Sequence, residues 1–506
     1  MEFNRAKNST RTFIFGVLYK MVTILGPFIT RTIIIYKLGT EYLGLSSLFT
    51  SVLSILNISE LGIGTAITFF LYKPVADDDK DTIRALLALL RKLYLGIGCF
   101  ILIIGLSLLP FLNKLINGEC PFDINIYILY TVYLLNAAAS YLGFAYKGVL
   151  LNVYQRGDIT NKIETVAEIL KYVLQIIVLL IFKNYYLFVV MLPLATIVVT
   201  LSTQFTSKKL FPDLTPKGNV TKELKKSIKT KVVYLSAHSI AATLTNSVDN
   251  IVISSAMGLT AIAIYGNYNY ISSAVWSIIL IAYRSLTPVI GNALCSDSKE
   301  KNLLVFDSLQ FMSFWIISWC CICLLCLYQP FITLWVGEDC LLPTSVVIMI
   351  VLYFFSNASR QFYGIYVAAA GLWDKTLPRQ IISAIVNLVL DIMLVKNFGI
   401  GGIVFASFAT NCIISLPLDI LVTYRDVLKE DVSRGYLKFL KKSCISIIIC
   451  VITVYICKIF NVNGILNLVI RSTICLLIPN LLLYILFRKN YEFRFMKKHI
   501  INLLKR

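Results

Sequence analysis

Long apolar blocks alternate with short basic segments along this chain. Tyr94 to Leu112 holds no charged side chain over nineteen positions, and Ser472 to Phe487 is a second uncharged block. A hydrocarbon core about 30 Å thick is crossed by roughly 20 apolar residues in a helix. Length and flanking charge predict fourteen spans, the first six with cores at 12–36, 43–71, 93–113, 124–147, 163–182 and 185–206. Six more follow at 232–256, 260–290, 307–335, 343–371, 379–395 and 400–423, and the last two at 443–459 and 464–487. Inside lipid the backbone must satisfy its own polar groups, so helices are expected. The alternating pattern of an outer-membrane barrel is absent.

The positions of the cations test this division. One side carries Arg5, Lys7 and Arg11, then Lys73 to Lys92, Arg156 and Lys162, and the run from Lys208 to Lys231. It continues with Lys299 and Lys301, Lys375 and Arg379, Arg425 to Lys442, and the basic tail from Arg488. The other side has only Lys37, Lys114, Lys183, Lys396 and Lys458. Cytoplasmic loops carry the excess of Lys and Arg, so both termini are expected in the cytoplasm. The N-terminal apolar run is too long for a signal peptide and lacks a small-residue cleavage site, so it reads as an uncleaved first span.

A short text occurs twice. Pro110-Phe111-Leu112 with Gly118-Glu119-Cys120 returns as Pro330-Phe331-Ile332 with Gly337-Glu338 and Cys340, at an offset of 220. Leu192-Pro193-Leu194 returns as Leu416-Pro417-Leu418, and Thr30 to Ile35 echoes Val248 to Ile253. An offset of six spans makes the two copies parallel repeats about an axis along the membrane normal. The expected organisation is an N-terminal lobe, 1–211, a basic cytoplasmic linker, 212–231, and a C-terminal lobe, 232–428. Residues 429–506 add two spans and a basic tail. Pro193 and Pro417 are expected to kink their helices. In the linker, Lys222, Lys225, Lys226 and Lys229 suit either an ordinary positive-inside connection or a surface that gathers an anionic lipid.

Composition narrows the chemistry. The 506 residues are 58% hydrophobic and 15% charged, with a net charge of +20. No soluble domain carries that charge, so no nucleic-acid partner is expected. Cys320, Cys321, Cys323 and Cys326 lie in an apolar stretch rather than a polar loop. They read as small core residues before they read as zinc ligands, and no metal site is expected. No Walker loop, dinucleotide fingerprint or ordered Ser/His/Asp set occurs, so no catalytic residue is expected.

The informative residues are ions within the spans: Arg31, Glu60, Lys147, Asp249, Arg284, Arg360 and Asp391. Each charge at the bilayer centre costs on the order of 2.5–3.5 kcal/mol, so these side chains must pair, snorkel or line water. Lys147 is near enough to an interface to snorkel. Arg284 and Arg360 either line a cavity or pair with Glu60 or Asp249. Corresponding spans of the repeat carry charges at matching depth, which places the expected substrate cavity between the lobes. Tyr141, Tyr146, Tyr265, Tyr268, Tyr270, Tyr283, Phe362, Tyr363 and Tyr366 flank these charges. They suit either a sugar-stacking surface or an interfacial aromatic belt.

Three passages then carry a family resemblance: Lys37-Leu38-Gly39-Thr40-Glu41-Tyr42-Leu43-Gly44-Leu45, Glu60-Leu61-Gly62-Ile63-Gly64, and Val248-Asp249-Asn250-Ile251-Val252-Ile253. With the six-plus-six pattern and two extra spans, the chain resembles the multidrug/oligosaccharidyl-lipid/polysaccharide (MOP) superfamily, from about residue 12 to 487. Within it the passages resemble the Wzx-type flippases of O-antigen and capsule repeat units. The resemblance implies an all-α polytopic fold of MATE-like architecture in the bacterial inner membrane. It implies flipping of undecaprenyl-pyrophosphate-linked oligosaccharide to the outer leaflet by alternating access, with no cofactor and with proton or sodium coupling. Implied partners are the lipid-linked oligosaccharide, the bilayer, a glycan polymerase and a chain-length regulator. It puts Arg31, Arg284, Arg360 and Lys147 in a cationic cavity lining, and gives Glu60, Asp249 and Asp391 ion coupling or arginine pairing. A multidrug extruder or lipid II flippase of the same fold, and a membrane polysaccharide polymerase, are the competing readings.

Overall fold

The computed structural model describes residues 5–57, 62–118, 120–296, 298–460, 462 and 464–495. Sixteen α-helices and no strand occur among them. The chain forms two compact units, Met1–Ala263 and Ile264–Arg506. The first holds α1 (Arg5–Lys37), α2 (Thr40–Leu56), α3 (Ile63–Ala76), α4 (Lys80–Ser107), α5 (Ile126–Leu142), α6 (Ala145–Val153), α7 (Gly157–Ile181), α8 (Tyr185–Leu210) and α9 (Lys222–Met257). The second holds most of α10 (Leu259–Ser296), then α11 (Lys299–Val336), α12 (Thr344–Ala369), α13 (Trp373–Thr410), α14 (Leu416–Val422), α15 (Val432–Ile459) and α16 (Gly464–Phe487). Nine helical segments among the described residues are long and apolar enough to cross a bilayer, and α5 with α6 makes a tenth, bent by 48°. The chain is an all-α, multi-pass membrane protein.

The breaks have local causes. Asp79, Asn125, Asn184, Thr221, Ser298 and Asp431 cap helix starts by accepting from backbone N–H groups one turn ahead, which satisfies donors the helix leaves open. The spans predicted at 379–395 and 400–423 fall on one helical run broken at Gly399, whose φ of 55° and ψ of −139° no helix contains. The duplicated text ends alike in both copies. Gly118 and Gly337 each adopt a φ of 93°, a backbone region that favours glycine.

Several expectations are corrected. The span predicted at 43–71 is two helices, α2 and α3, with Glu60 in the interval outside the described residues. The basic residues 222–231 open α9, one continuous helix of 36 residues, with Lys222, Lys225, Lys226 and Lys229 exposed. That helix packs on α2 and α3 within the first unit. Pro193 lies inside an uninterrupted α8. Pro417 does perturb its helix, but as a π-helical turn at Asn411–Ser415 just before α14. The wider turn accommodates a ring that would otherwise strike the carbonyl four residues back.

At the start of α11, Lys299 Nζ reaches Glu430 Oε1 at 2.8 Å and the Lys429 carbonyl at 2.8 Å, joining α11 to the turn before α15. The Lys299 hydrogen bond holds the Glu430 carboxyl below its ordinary range. A depressed carboxyl contributes stability above its unfolded pKa and loses it as pH falls through the folded one. The expected result is a small acid-side loss of thermal stability that shrinks in Glu430→Gln. Melting curves of the two proteins at neutral pH and below the carboxylate range check it; superimposable pH dependences would refute it.

Candidate functional site

The second unit concentrates its deep charge on one carboxylate. Asp419, on α14, is 1% exposed and lies 3.1 Å from Arg379 Nη1 and 3.5 Å from Arg360 Nη1. Arg360 comes from α12 and Arg379 from the first turns of α13. Arg360 Nη2 also donates to Asn357 Oδ1, 3.1 Å away on its own helix. Two guanidiniums against one carboxylate leave an excess positive charge. Arg360 Nε, Arg379 Nε and Asp419 Oδ1 are buried without a hydrogen-bond partner among the described residues. The site therefore has donor capacity that its own residues do not use.

This arrangement revises the expected pairing. Arg360 was expected either to line a cavity or to pair with Glu60 or Asp249; its carboxylate is Asp419, a residue the sequence pattern did not single out. Arg379 was expected among the cytoplasmic cations and is instead 6% exposed against Asp419. The signal for Asp419 was present in the sequence: an aspartate inside an apolar block. Arg284, on α10, is exposed, and among the described residues no ion pair holds it.

Beside these charges the aromatic side chains form core. Phe306 packs within 6.4 Å, ring centre to ring centre, of Phe362, Tyr363, Tyr366 and Tyr424. Tyr363 accepts from Gln310 Nε2 at 2.8 Å, and Tyr283 bonds to Ser313. Tyr265, Tyr268, Tyr283, Phe362, Tyr363 and Tyr366 are all buried. For these six, neither the sugar surface nor the interfacial belt describes the placement: Tyr283, Tyr363 and Tyr366 pack on Phe362, and Tyr268 packs on Tyr328. Asp391, fully buried on α13, receives Asn387 Nδ2 at 3.4 Å, and the same amide reaches Ser407 Oγ at 3.2 Å.

In the first unit Arg31 is half-buried on α1, within electrostatic reach of the Tyr185 hydroxyl. Tyr185 in turn donates to the Tyr42 carbonyl at 2.8 Å, and Tyr42 donates to Asp123 Oδ1 at 2.5 Å. The Glu41-Tyr42-Leu43-Gly44-Leu45 passage is thus a structural joint. Lys147 neither snorkels nor opens to a ligand: it is 3% exposed and donates to the Leu214 carbonyl at 3.1 Å. The segment between α8 and α9 folds back over it, which the sequence pattern could not show. Asp249, on α9, is 8% exposed.

A cavity of about 390 Å³ opens among α1, α5, α6, α7 and α8. Glu164, Glu168 and Lys171 reach it from α7, with Tyr19, Asn136 and Thr196 from its other walls. Lys171 Nζ bonds Glu168 Oε2 at 2.6 Å, so Glu164 leaves the cavity with a surplus carboxyl. These three charges lie within a predicted span and were passed over because their helix still reads as apolar.

No protein-family model matches the sequence, and no curated protein matches it. Solved structures do match. The inward-closed lipid II flippase MurJ superposes with a TM-score of 0.69 at 14% identity, over 94% of this chain and 99% of that one. An inward-facing multidrug resistance MATE transporter of the MOP superfamily gives 0.61 at 17% identity, over 80% and 95%. The Vibrio cholerae MATE transporter VcmN gives 0.58 at 15% identity, over 84% and 98%. The chain therefore has the MOP transporter fold.

Proposed function

We propose that this chain is a flippase for an anionic, lipid-linked oligosaccharide, carried on a polyprenyl pyrophosphate from the cytoplasmic to the outer leaflet of a bacterial inner membrane. The observation that carries this reading is the cation excess in the second unit. Arg360 and Arg379 share the single carboxylate of Asp419, and Arg284 stands exposed. A pyrophosphate brings about two negative charges and several acceptor oxygens, which guanidiniums neutralise through charge-assisted hydrogen bonds. A carrier for cationic drugs would need the opposite balance there. The carboxylate-rich cavity of the first unit, and the buried Asp391, suit a small coupling cation such as sodium or a proton.

A lipid II flippase is the second reading, with the same anionic chemistry on a different glycan. It is favoured by length. The flippase likeness spans 94% of this chain and the MATE likenesses 80% and 84%, a shortfall about the size of α15, α16 and the tail.

The test is export of lipid-linked repeat units by Arg31→Ala, Arg284→Ala and Arg360→Ala at equal protein level. A lost hydrogen bond to a charged group is worth about 1.5–3 kcal/mol, so a roughly 10- to 100-fold fall in export is expected for Arg284→Ala and Arg360→Ala. Normal export by all three would remove the cationic mechanism. Deleting the gene should leave repeat units on the cytoplasmic leaflet. Single units accumulating on the outer face would instead point to a polymerase.

A further inference from the structure

Three thiols from three helices converge inside the second unit, with a fourth beside one of them. The sulfurs of Cys326 on α11, Cys457 on α15 and Cys475 on α16 all lie within 4.8 Å of one another and are buried. Cys323, one turn before Cys326 on the same face of α11, has its thiol in hydrogen-bonding contact with that of Cys475. None of the four is in a disulfide. Sulfurs around a zinc ion at about 2.3 Å stand about 3.8 Å apart, so these three need only a small contraction to become ligands. The cysteines that the sequence pattern read as core are thus of two kinds. Cys321 points elsewhere, toward the Val351 carbonyl, while Cys323 and Cys326 face the two helices that follow the repeat.

A second observation bears on the same place. Arg471 lies in α16, two turns into a span, where charge is costly, and its Nε donates to Asn467 Oδ1 at 2.8 Å. Its Nη1 donates to the Cys326 carbonyl at 3.4 Å, and the guanidinium is within electrostatic range of Cys457 Sγ. Thiolates on a metal would add negative charge beside it. The surroundings also give the cluster a purpose. α15 and α16 pack on α11 and on each other, and their outer faces expose Ile448, Val451, Leu477 and Leu481. In lipid such faces gain nothing by association, so helices are held by close packing and specific polar ties.

We propose that Cys326, Cys457 and Cys475, with Cys323 as the fourth sulfur, bind a thiophilic d10 cation, zinc(II) or copper(I), that ties α15 and α16 to α11. Soft thiolates select these ions. Each coordinated thiol gives up its proton to solvent, and no oxidation state changes.

The full-length protein, purified in detergent without chelator, is expected to carry close to one equivalent of zinc or copper by elemental analysis, the assay naming which. Protein loaded with zinc chloride, or with copper(I) kept reduced by ascorbate, should protect four thiols from alkylation until a chelator strips the metal. Cys457→Ser and Cys475→Ser should lose most of the bound metal, while Cys444→Ser, an exposed cysteine on α15, should keep it. If the serine variants do not accumulate, the metal content and alkylation pattern of the unaltered protein decide alone. Less than a tenth of an equivalent after loading with either ion overturns the proposal. So does peptide mapping that finds two of the four cysteines joined as a disulfide.

Discussion

Replacing Asp419 with leucine will destabilise the purified protein by about 3–5 kcal/mol, the range measured when one partner of a buried ion pair is removed. Arg360 and Arg379 both depend on this carboxylate, and Arg379 is 6% exposed, with no solvent to retreat to. Their mutual repulsion, screened by Asp419 in the unaltered protein, then acts unopposed in a medium of low dielectric. Thermal unfolding in detergent, and abundance in the membrane, read the loss. The double change Asp419→Leu with Arg379→Leu should recover much of it, because the residues form one network and their effects are not additive. A single variant as stable as the unaltered protein would show that the two arginines find their counter-charge elsewhere. The double variant also separates stability from transport. It keeps Arg360, so any export it retains measures what the remaining cation does without its partner.

Gly62→Ala is expected to be strongly damaging for a single-methyl change. Gly62 sits at the start of α3 with a φ of 100°, where an L side chain is strained by about 1–3 kcal/mol. An added Cβ would also come 2.8 Å from the Ser236 nitrogen and 2.8 Å from Leu235 Cβ on α9. The first of these is backbone and cannot rotate aside, and overpacking of this kind costs about 1–3 kcal/mol more. The sum, about 2–5 kcal/mol, should appear as a lowered melting temperature and poor accumulation. Gly96→Ala, on α4 with nothing within 4 Å of the added atom, is the matched control and should be close to neutral. Equal melting temperatures for the two variants would mean that α9 yields at Gly62, and the close approach would lose its significance.

Two of the three passages that carry the family resemblance are explained by such contacts. Glu60-Leu61-Gly62-Ile63-Gly64 holds the glycine that lets α9 meet α3. Glu41-Tyr42-Leu43-Gly44-Leu45 holds the tyrosine joined to Asp123 and Tyr185. Gly62 and Tyr42 thus serve the packing of the first unit. The candidate site was less legible. Arg360, Arg284 and Asp391 stand out in the sequence because an ion in an apolar block is conspicuous. Asp419 is a single acid in the same kind of block, and Arg379 follows Asp374 and Lys375 in what reads as a loop. Lys147 was found but misread, since the carbonyl that receives it belongs to Leu214, in a segment with no pattern of its own.

The sequence by itself determined the kind of element. Lipid obliges each crossing segment to close its own backbone hydrogen bonds, so the information for a span, its caps and its breaks at Gly399 or Pro417 lies within the segment. The tertiary structure alone decided which charges neutralise which, where the aromatic rings turn, and that Cys326, Cys457 and Cys475, from three helices, share one place. Those outcomes depend on the rotation of each helix about its axis and on neighbours distant in the chain. A segment that is apolar on nearly all sides carries little in its sequence to fix either.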